Sequence, residues 1–269
     1  MSAAAAPVAA TPGPSAPIAV FDSGVGGLSV LRAIRDRLPH EPLLYVADSG
    51  HAPYGDRDLD FIRERSRAIV AWMVAQGAKE IVVACNTATV VSVATLREAH
   101  TVPIVALEPA IKPAAEGSMS HVIGVLATSR TLESPAVARL QQEYGAHTRI
   151  VLQPCPGLVE QVEHGELESA VTSALLERYL AAPIAAGADH LVLGCTHYAF
   201  LRDRIQALVG PGVTLVDSGD AVARQTERRL PYAGIGGGER FFTTGDLREA
   251  RARFASLWGS DADVSFLDV

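Results

Sequence analysis

Two cysteines of this chain close segments of the same kind. Cys85 ends "GAKEIVVAC" and precedes Asn-Thr, whereas Cys195 ends "GADHLVLGC" and precedes Thr-His. The two segments match position by position at a separation of 110 residues. Two thiols that face one carbon from opposite sides can remove a proton from one face and deliver a proton to the other. If the two segments face each other, the pair therefore indicates inversion of a stereocentre.

The elements that must position these thiols alternate between strands and helices. Branched and apolar content predicts strands at 17–22, 42–48, 80–85 and 102–107. Helical spacing of apolar residues predicts helices at 27–38, 61–77 and 90–99. This alternation predicts a parallel sheet with helices on its faces. Because ligands of such sheets bind beyond the carboxyl ends of the strands, both thiols, together with Asp22 and Ser23 after the first strand, are expected at a binding edge.

The second half of the chain repeats the first. Residues 103–107 fall on 213–217 at the same offset of 110, and "IAVFDS" at 18–23 resembles "IGVLAT" at 123–128. We interpret the chain as an α/β protein with two similar parallel-sheet domains, related by a pseudo-two-fold axis, and with the active site in the cleft between them. The first domain is predicted at 17–108 and 217–269, and the second at 109–216. The Ala/Pro-rich residues 1–16 are predicted to form a disordered tail.

Composition excludes several classes of function. The 269 residues carry a net charge of −7, which argues against nucleic acid as the main partner. No apolar run approaches the roughly 18 residues of a membrane span, so no membrane partner is expected. Three cysteines, an odd number, do not indicate a disulfide framework, and the expected compartment is the reducing cytoplasm.

Six motifs together resemble one known family. They are "FDSGVGGLSVL" (21–31), "PYG" (53–55), "ACNTAT" (84–89), "EPAIKPA" (108–114), "GCTHY" (194–198) and "FFTTGD" (241–246). They cover nearly the whole chain after the tail and resemble the glutamate racemases. The resemblance implies cofactor-independent interconversion of L- and D-glutamate without a metal, supplying D-glutamate for peptidoglycan. It leaves a homodimer open.

The resemblance also implies roles for single residues. Cys85 and Cys195 correspond to the two acid/base cysteines, and His197 to a residue that binds or assists beside the second thiol. Positions that hold the amino acid correspond to Asp22, Ser23, Tyr54, Gly55, Asn86, Thr87, Thr128, Thr131 and Thr196. A carboxylate near the second thiol corresponds to Glu163, although Glu160 is close enough to leave this assignment open. Many members carry Arg where this chain has His51.

The chemistry of the residues agrees with these roles. The two lysines, Lys79 and Lys112, do not lie where a pyridoxal Schiff base would be expected, so the thiols must act as the bases. A free thiol has a pKa near ~8.5, and a neighbouring group must accept its proton or stabilise its thiolate. Asp22 for Cys85 and His197 for Cys195 are the predicted partners. Cys155, in the turn-like "QPCPG", is interpreted as structural.

Three other interpretations use the same residues. "GVGGLS" with Asp48 imitates a dinucleotide site, but the third glycine is replaced by Ser29. A bilobal protein that only binds an amino acid would need no thiol pair. A zinc site would lack a fourth ligand at the usual spacing beside the two cysteines and one histidine.

Overall fold

The computed structural model describes residues 13–259 and 262–269. Ten strands alternate with helices along these ranges. The strands are β1 (Ile18–Asp22), β2 (Leu43–Ala47), β3 (Glu80–Val83), β4 (Ile104–Ala106), β5 (Val122–Ala127), β6 (Arg149–Pro154), β7 (His190–Leu193), β8 (Thr214–Val216), β9 (Glu239–Thr243) and β10 (Val264–Phe266). The α-helices are α1 (Leu28–Arg37), α2 (Leu59–Ala75), α3 (Asn86–Ala99), α4 (Ile111–Gly117), α5 (Ser129–Leu132), α6 (Pro135–Tyr144), α7 (Leu158–Glu163), α8 (Ala170–Ala185), α9 (Arg202–Val209), α10 (Gly219–Arg229) and α11 (Leu247–Trp258).

The strands form two separate sheets in which every pairing is parallel. The first sheet has the order β10-β9-β2-β1-β3-β4, and the second has the order β6-β5-β7-β8. β1 and β2 are buried along their whole length, because helices cover both faces of a parallel sheet and an uninterrupted apolar run fits there. The predicted fold, two parallel-sheet α/β domains, is confirmed.

The internal repeat is visible in the topology. Four strands of the first sheet, in the order β2-β1-β3-β4, match the complete second sheet, β6-β5-β7-β8. At the crossing between the two sheets, the Ser218 hydroxyl donates to the Glu108 carbonyl at 2.7 Å, and these residues are 110 positions apart. A contact between repeat-equivalent positions is what a pseudo-two-fold axis produces where the two halves meet. The exact domain bounds stay a prediction.

Helix α3 begins earlier than the sequence predicted, and its start is set by a cysteine. It begins at Asn86, directly after Cys85, whereas the apolar spacing indicated a start near residue 90. The Cys85 sulfur accepts the backbone N–H of Ala88 at 3.4 Å and so caps the helix. The periodicity missed this first turn because its residues, Asn86 and Thr87, are polar yet buried.

At residues 13–16 the structure differs from the predicted disordered tail. Residues 1–12 lie outside the described residues, but Gly13–Ala16 form a turn in which the Ala16 N–H donates to the Gly13 carbonyl. The Pro14 carbonyl accepts the N–H of Ile235 at 3.1 Å. Residues 13–16 therefore form a hydrogen-bonded turn against the folded protein, and of these residues only Ala16 is buried. None of the helices in the described ranges is long and apolar enough to cross a membrane.

Candidate active site

A small cavity lies between the two domains where the strands β1, β3, β5 and β7 end. Its lining comes from both sheets, with Cys85 from the first domain and Cys195 from the second. The free volume is about 10 Å³, room for about one water molecule. The lining residues are Ser23, Pro53, Tyr54, Gly55, Cys85, Asn86, Thr87, Thr128, Thr131, Val159, Cys195, Thr196 and His197. The structure thus brings together every site residue predicted from the sequence except Asp22, which lies just outside this lining.

The Cys85 thiol is held at the N-terminus of α3. It donates to the Ser23 hydroxyl at 3.4 Å and is only 6% exposed. Burial, with a further contribution from the negative charge of Asp22, raises the pKa of Cys85 to about 12. The raised pKa favours the neutral thiol form of Cys85.

Asp22 is the fully buried carboxylate at the end of β1. Its two oxygens accept the backbone N–H of Gly24 at 2.8 Å and the hydroxyl of Thr196 at 3.0 Å. Burial raises the pKa of Asp22 to about 6, against the opposing charge of His197. Asp22 therefore influences Cys85 by its charge, while its hydrogen bonds connect the first domain to Thr196 of the second.

Cys195 has a different partner. Its sulfur lies 3.7 Å from Nδ1 of His197, and Nε2 of the same ring lies 2.6 Å from Oε1 of Glu163. Burial opposes protonation of His197, but the hydrogen bonds to Cys195 and Glu163 outweigh it and raise the histidine pKa well above its usual value. The sequence left Glu160 and Glu163 open, and the structure selects Glu163. Thiol, imidazole and carboxylate form one continuous chain.

The glycines of "GVGGL" allow the first domain to approach this chain closely. A Cβ at Gly24 would lie 1.8 Å from Glu163 Oε1, and one at Gly26 would lie 2.3 Å from His197 Nδ1. Glu163 Oε1 also accepts the backbone N–H of Val25 at 2.7 Å. These glycines therefore allow the close contact between the domains.

Hydroxyl and amide groups line the rest of the cavity. Thr87 of the first domain lies 3.1 Å from Thr128 and 3.4 Å from Thr131 of the second, oxygen to oxygen. The Nδ2 group of Asn86 is buried and has no hydrogen-bond partner. A buried amide without a partner is costly unless a ligand supplies an acceptor. Asn86 is therefore suited to bind an oxygen of a small molecule in this cavity.

Tyr54 is anchored by a buried aspartate that the sequence did not single out as a site residue. The Tyr54 hydroxyl donates to Asp48 at 2.5 Å, and Arg65 and Thr244 also donate to this carboxylate. Burial raises the pKa of Asp48, but the hydrogen bonds from Arg65 and Tyr54 outweigh it, so the pKa lies below the usual value. His51 Nδ1, where the family often has Arg, contacts the same carboxylate at 3.0 Å. Asp48 directly follows β2, much as Asp22 ends β1. This strand-end position is the sequence signal that could have identified Asp48.

The third cysteine and the two lysines lie outside this cavity. The Cys155 thiol donates to the Gln153 carbonyl at 3.3 Å and does not line the cavity. Lys79 is buried in an ion pair with Glu41 at 2.5 Å, and Lys112 is largely exposed. Within residues 13–259 and 262–269, no three His, Cys, Asp or Glu side chains are grouped so that they could hold a metal ion.

Comparison with known proteins finds one family throughout. Residues 28–226 match the model of the Asp/Glu/hydantoin racemases. The chain is 51% identical over 258 residues to the glutamate racemase of Stutzerimonas stutzeri strain A1501, covering 94% of this chain and 97% of that protein.

Solved structures agree with this result. The fold matches a glutamate racemase isoform from Bacillus anthracis with a TM-score of 0.85 and 28% identity, over 94% of this chain and 98% of that one. It also matches the Escherichia coli glutamate racemase, a complex with L-glutamate and the activator UDP-MurNAc-Ala. The TM-score there is 0.84 with 33% identity, over 93% of this chain and 97% of that one.

The glycine contact can be tested by Gly26→Ala. The new Cβ would displace His197 and Thr196, so we expect the free energy of unfolding to fall by about 1–3 kcal/mol. We also expect Cys195 to react faster with iodoacetamide, and peptide mass spectrometry measures the rate of this alkylation. Gly212→Ala is the matched control, because nothing lies within 4 Å of a Cβ at that position. Equal stability and equal alkylation in the two variants would contradict the close approach.

Proposed function

The chain belongs to the Asp/Glu/hydantoin racemase family, and from this premise we propose that it interconverts L- and D-glutamate by proton transfer between Cys85 and Cys195. One observation carries the proposal. Two thiols, each at a strand end of a different domain and 110 residues apart, line a single cavity. One cysteine takes the α-proton of the substrate as a thiolate, and the other delivers a proton to the opposite face as a thiol.

The Cys85 half of the reaction needs a proton acceptor, because an isolated buried thiol stays protonated at neutral pH. Asp22 is a buried carboxylate whose charge acts on the Cys85 thiol. With its pKa near 6, Asp22 is ionised at neutral pH but can still take up a proton. The positive α-ammonium group of the bound amino acid further favours the thiolate. Asp22 thus makes ionisation of Cys85 accessible without leaving a permanent thiolate.

The Cys195 half uses an imidazole instead. His197 lies between the thiol and Glu163, with its two ring nitrogens assigned to these two partners. A ring in this position can take the thiol proton on Nδ1 while Nε2 remains hydrogen-bonded to the carboxylate. Glu163 also stabilises the imidazolium that forms. The two thiols are therefore served by different partners, although the domains that carry them are alike.

Binding of the substrate carboxylates relies on neutral donors. No Lys or Arg is among the described residues that line the cavity. The threonine hydroxyls, the Asn86 amide and the N-terminus of α3 provide donors and a favourable dipole for anionic groups. Because the cavity has room for about one water, the domains must separate to admit an amino acid and close again around it. Closure excludes water from the α-carbon during proton transfer.

The proposal extends to the physiological role. We assign no cofactor, and we place the reaction in the cytoplasm, where D-glutamate is needed for peptidoglycan precursors. The support is the resemblance of the six motifs and the presence of glutamate racemases among the relatives. A chiral assay of the purified protein with glutamate and with aspartate, after treatment with a chelator and removal of pyridoxal phosphate, tests substrate and cofactor together. Activity that disappears on chelation and returns with metal would contradict it.

Cysteine substitutions test the reacting groups. We expect Cys85→Ala and Cys195→Ala each to lower kcat for racemisation by roughly 10³-fold or more, because each direction needs one thiolate and one thiol. Cys155→Ala is the control, since its thiol lies outside the cavity, and it should retain activity. Losses in the double variant should not multiply. An active Cys85→Ala variant with an inactive but folded Cys155→Ala would show that the wrong thiol has been assigned.

The acidity of Asp22 predicts a pH dependence. Below pH 6, the carboxylate is protonated and can no longer accept the proton of Cys85. We therefore expect kcat/KM to fall about tenfold per pH unit below this value. Asp22→Asn should have low activity without this acidic limb, measured as kcat/KM between pH 5 and 8. Retention of the same limb in the variant would assign the titration to another group.

A further inference from the structure

A second cavity adjoins the carboxylate end of the Cys195 chain. It has a volume of about 150 Å³ and is lined on its inner side by Val25, Ser49 and Glu163. Its outer side includes Glu249 and Asp246, which are exposed to solvent. A polar cavity of this size can hold several waters. The cavity lined by Cys85 and Cys195 has space for about one water.

Glu163 is the member of the chain that reaches this cavity. Its Oε1 atom faces inward, accepting the Val25 N–H and contacting His197. Its Oε2 atom accepts the hydroxyl of Ser49 at 3.3 Å, and Ser49 also lines the cavity. The Glu163 side chain is 14% exposed, whereas that of His197 is 2% exposed. One carboxylate therefore connects a buried imidazole to a cavity that is large enough for several waters.

The Cys85 side has no equivalent connection. Asp22 is fully buried, and its oxygens are occupied by Gly24 and Thr196. The Cys85 sulfur is hydrogen-bonded to Ser23, which is itself only 4% exposed. The hydrogen bonds of Asp22 and Cys85 therefore lead to other buried groups at the contact between the two domains. The two thiols differ in access to water as well as in partner.

This difference matters because both thiols must be reset after each turnover. After one proton has been removed from one face of the substrate and another has been delivered to the opposite face, the thiol that acted as acid is a thiolate and the base is a thiol. Another turnover in the same direction needs one proton to leave the enzyme and one to enter. In either direction, Cys195 must exchange a proton with water.

We infer that the cavity lined by Val25, Ser49, Glu163 and Ala250 is the route by which Cys195 exchanges protons with solvent. This inference rests on the proposed racemase function. In one reset step, an acid in the cavity, hydronium or a protonated buffer, protonates the Glu163 carboxylate; the Glu163 carboxyl group then gives this proton to Nε2 of a neutral His197 ring as the Cys195 thiolate takes the proton from Nδ1, so that one proton enters and the carboxylate is restored. The opposite reset runs the same transfers in reverse, and no oxidant or cofactor is needed.

A larger cavity of about 410 Å³ also touches Cys195, on the side of α1 and α10. Its lining combines apolar side chains, Leu107, Leu193 and Phe200, with polar ones that include Asn86, Thr196 and Asp217. Within the described residues, the hydrogen bond of the Cys195 sulfur goes to His197 and not toward these groups. A continuous polar path therefore favours the smaller cavity, and the larger one is the competing route that the experiment must separate.

Ala250→Leu tests the route, because Ala250 lies on α11 and its side chain lines the smaller cavity. Ala33→Leu is the matched control, because Ala33 lies on α1 and lines the larger cavity. Each purified variant is given saturating racemic α-deuterated glutamate in ordinary water. The loss of deuterium to water is then measured by mass spectrometry and compared with the rate of racemisation. Initial rates as a function of substrate concentration are recorded in parallel.

We expect Ala250→Leu to lose deuterium about fivefold more slowly per racemisation event. Its kcat and KM should fall together, leaving kcat/KM within about twofold, since a slower reset affects only the return of the free enzyme. Ala33→Leu should resemble the unchanged protein. A high concentration of a small buffer acid should not restore the loss of deuterium in Ala250→Leu, because the leucine side chain fills the space that the acid would occupy.

Ser49→Ala provides a second variant if Ala250→Leu fails to fold. It leaves the cavity open but removes the hydroxyl from Glu163 Oε2, so exchange should slow and then recover with increasing buffer acid, and Ser49→Thr should restore it. A normal deuterium loss in Ala250→Leu, or a slow one confined to Ala33→Leu, would overturn the route while leaving the racemase intact. An unchanged protein that racemises neither enantiomer would instead overturn the proposed function.

Discussion

The contact between the glycine loop at 24–27 and the Glu163–His197 pair is the interaction on which the rest of the site depends. Two thiols can face one carbon from opposite sides only if two sheets present their strand ends to each other across a few ångströms. At Gly24 and Gly26, a single extra carbon would meet the carboxylate or the imidazole of the other domain. The absence of side chains at these positions therefore allows the cavity to be closed and both thiols to be buried.

Burial then determines the chemistry. Burial makes the Cys85 thiol a weaker acid by raising its pKa. In the proposed mechanism each thiol needs an adjacent group to carry its proton, and the candidates are a carboxylate on one side and an imidazole with its own carboxylate on the other. The repeat is symmetric in its backbone but not in these partners, so one fold used twice has acquired two different acid/base arrangements.

Local patterns in the sequence predicted the fold and the repeat, whereas most of the cavity residues were implied by the resemblance to the glutamate racemases. Apolar runs indicate buried parallel strands, and polar residues directly after them mark the binding edge. The sequence could not choose between Glu160 and Glu163, because both lie on or near one face of a short helix and only the approach of Val25 and His197 distinguishes them. Asp48 was missed as an anchor because its partners, Arg65 and Thr244, are distant in sequence.

The central claim is that the thiol that removes the α-proton is not the thiol that delivers the new one. It is tested most directly by running the reaction in D₂O and separating the enantiomers at the earliest turnovers. Starting from L-glutamate, the account predicts that newly formed D-glutamate carries deuterium at the α-carbon while the remaining L-glutamate stays protonated, with the mirror result from D-glutamate. Substantial unlabelled product, together with early deuterium in the starting enantiomer, would mean that a single base serves both faces and would contradict the account.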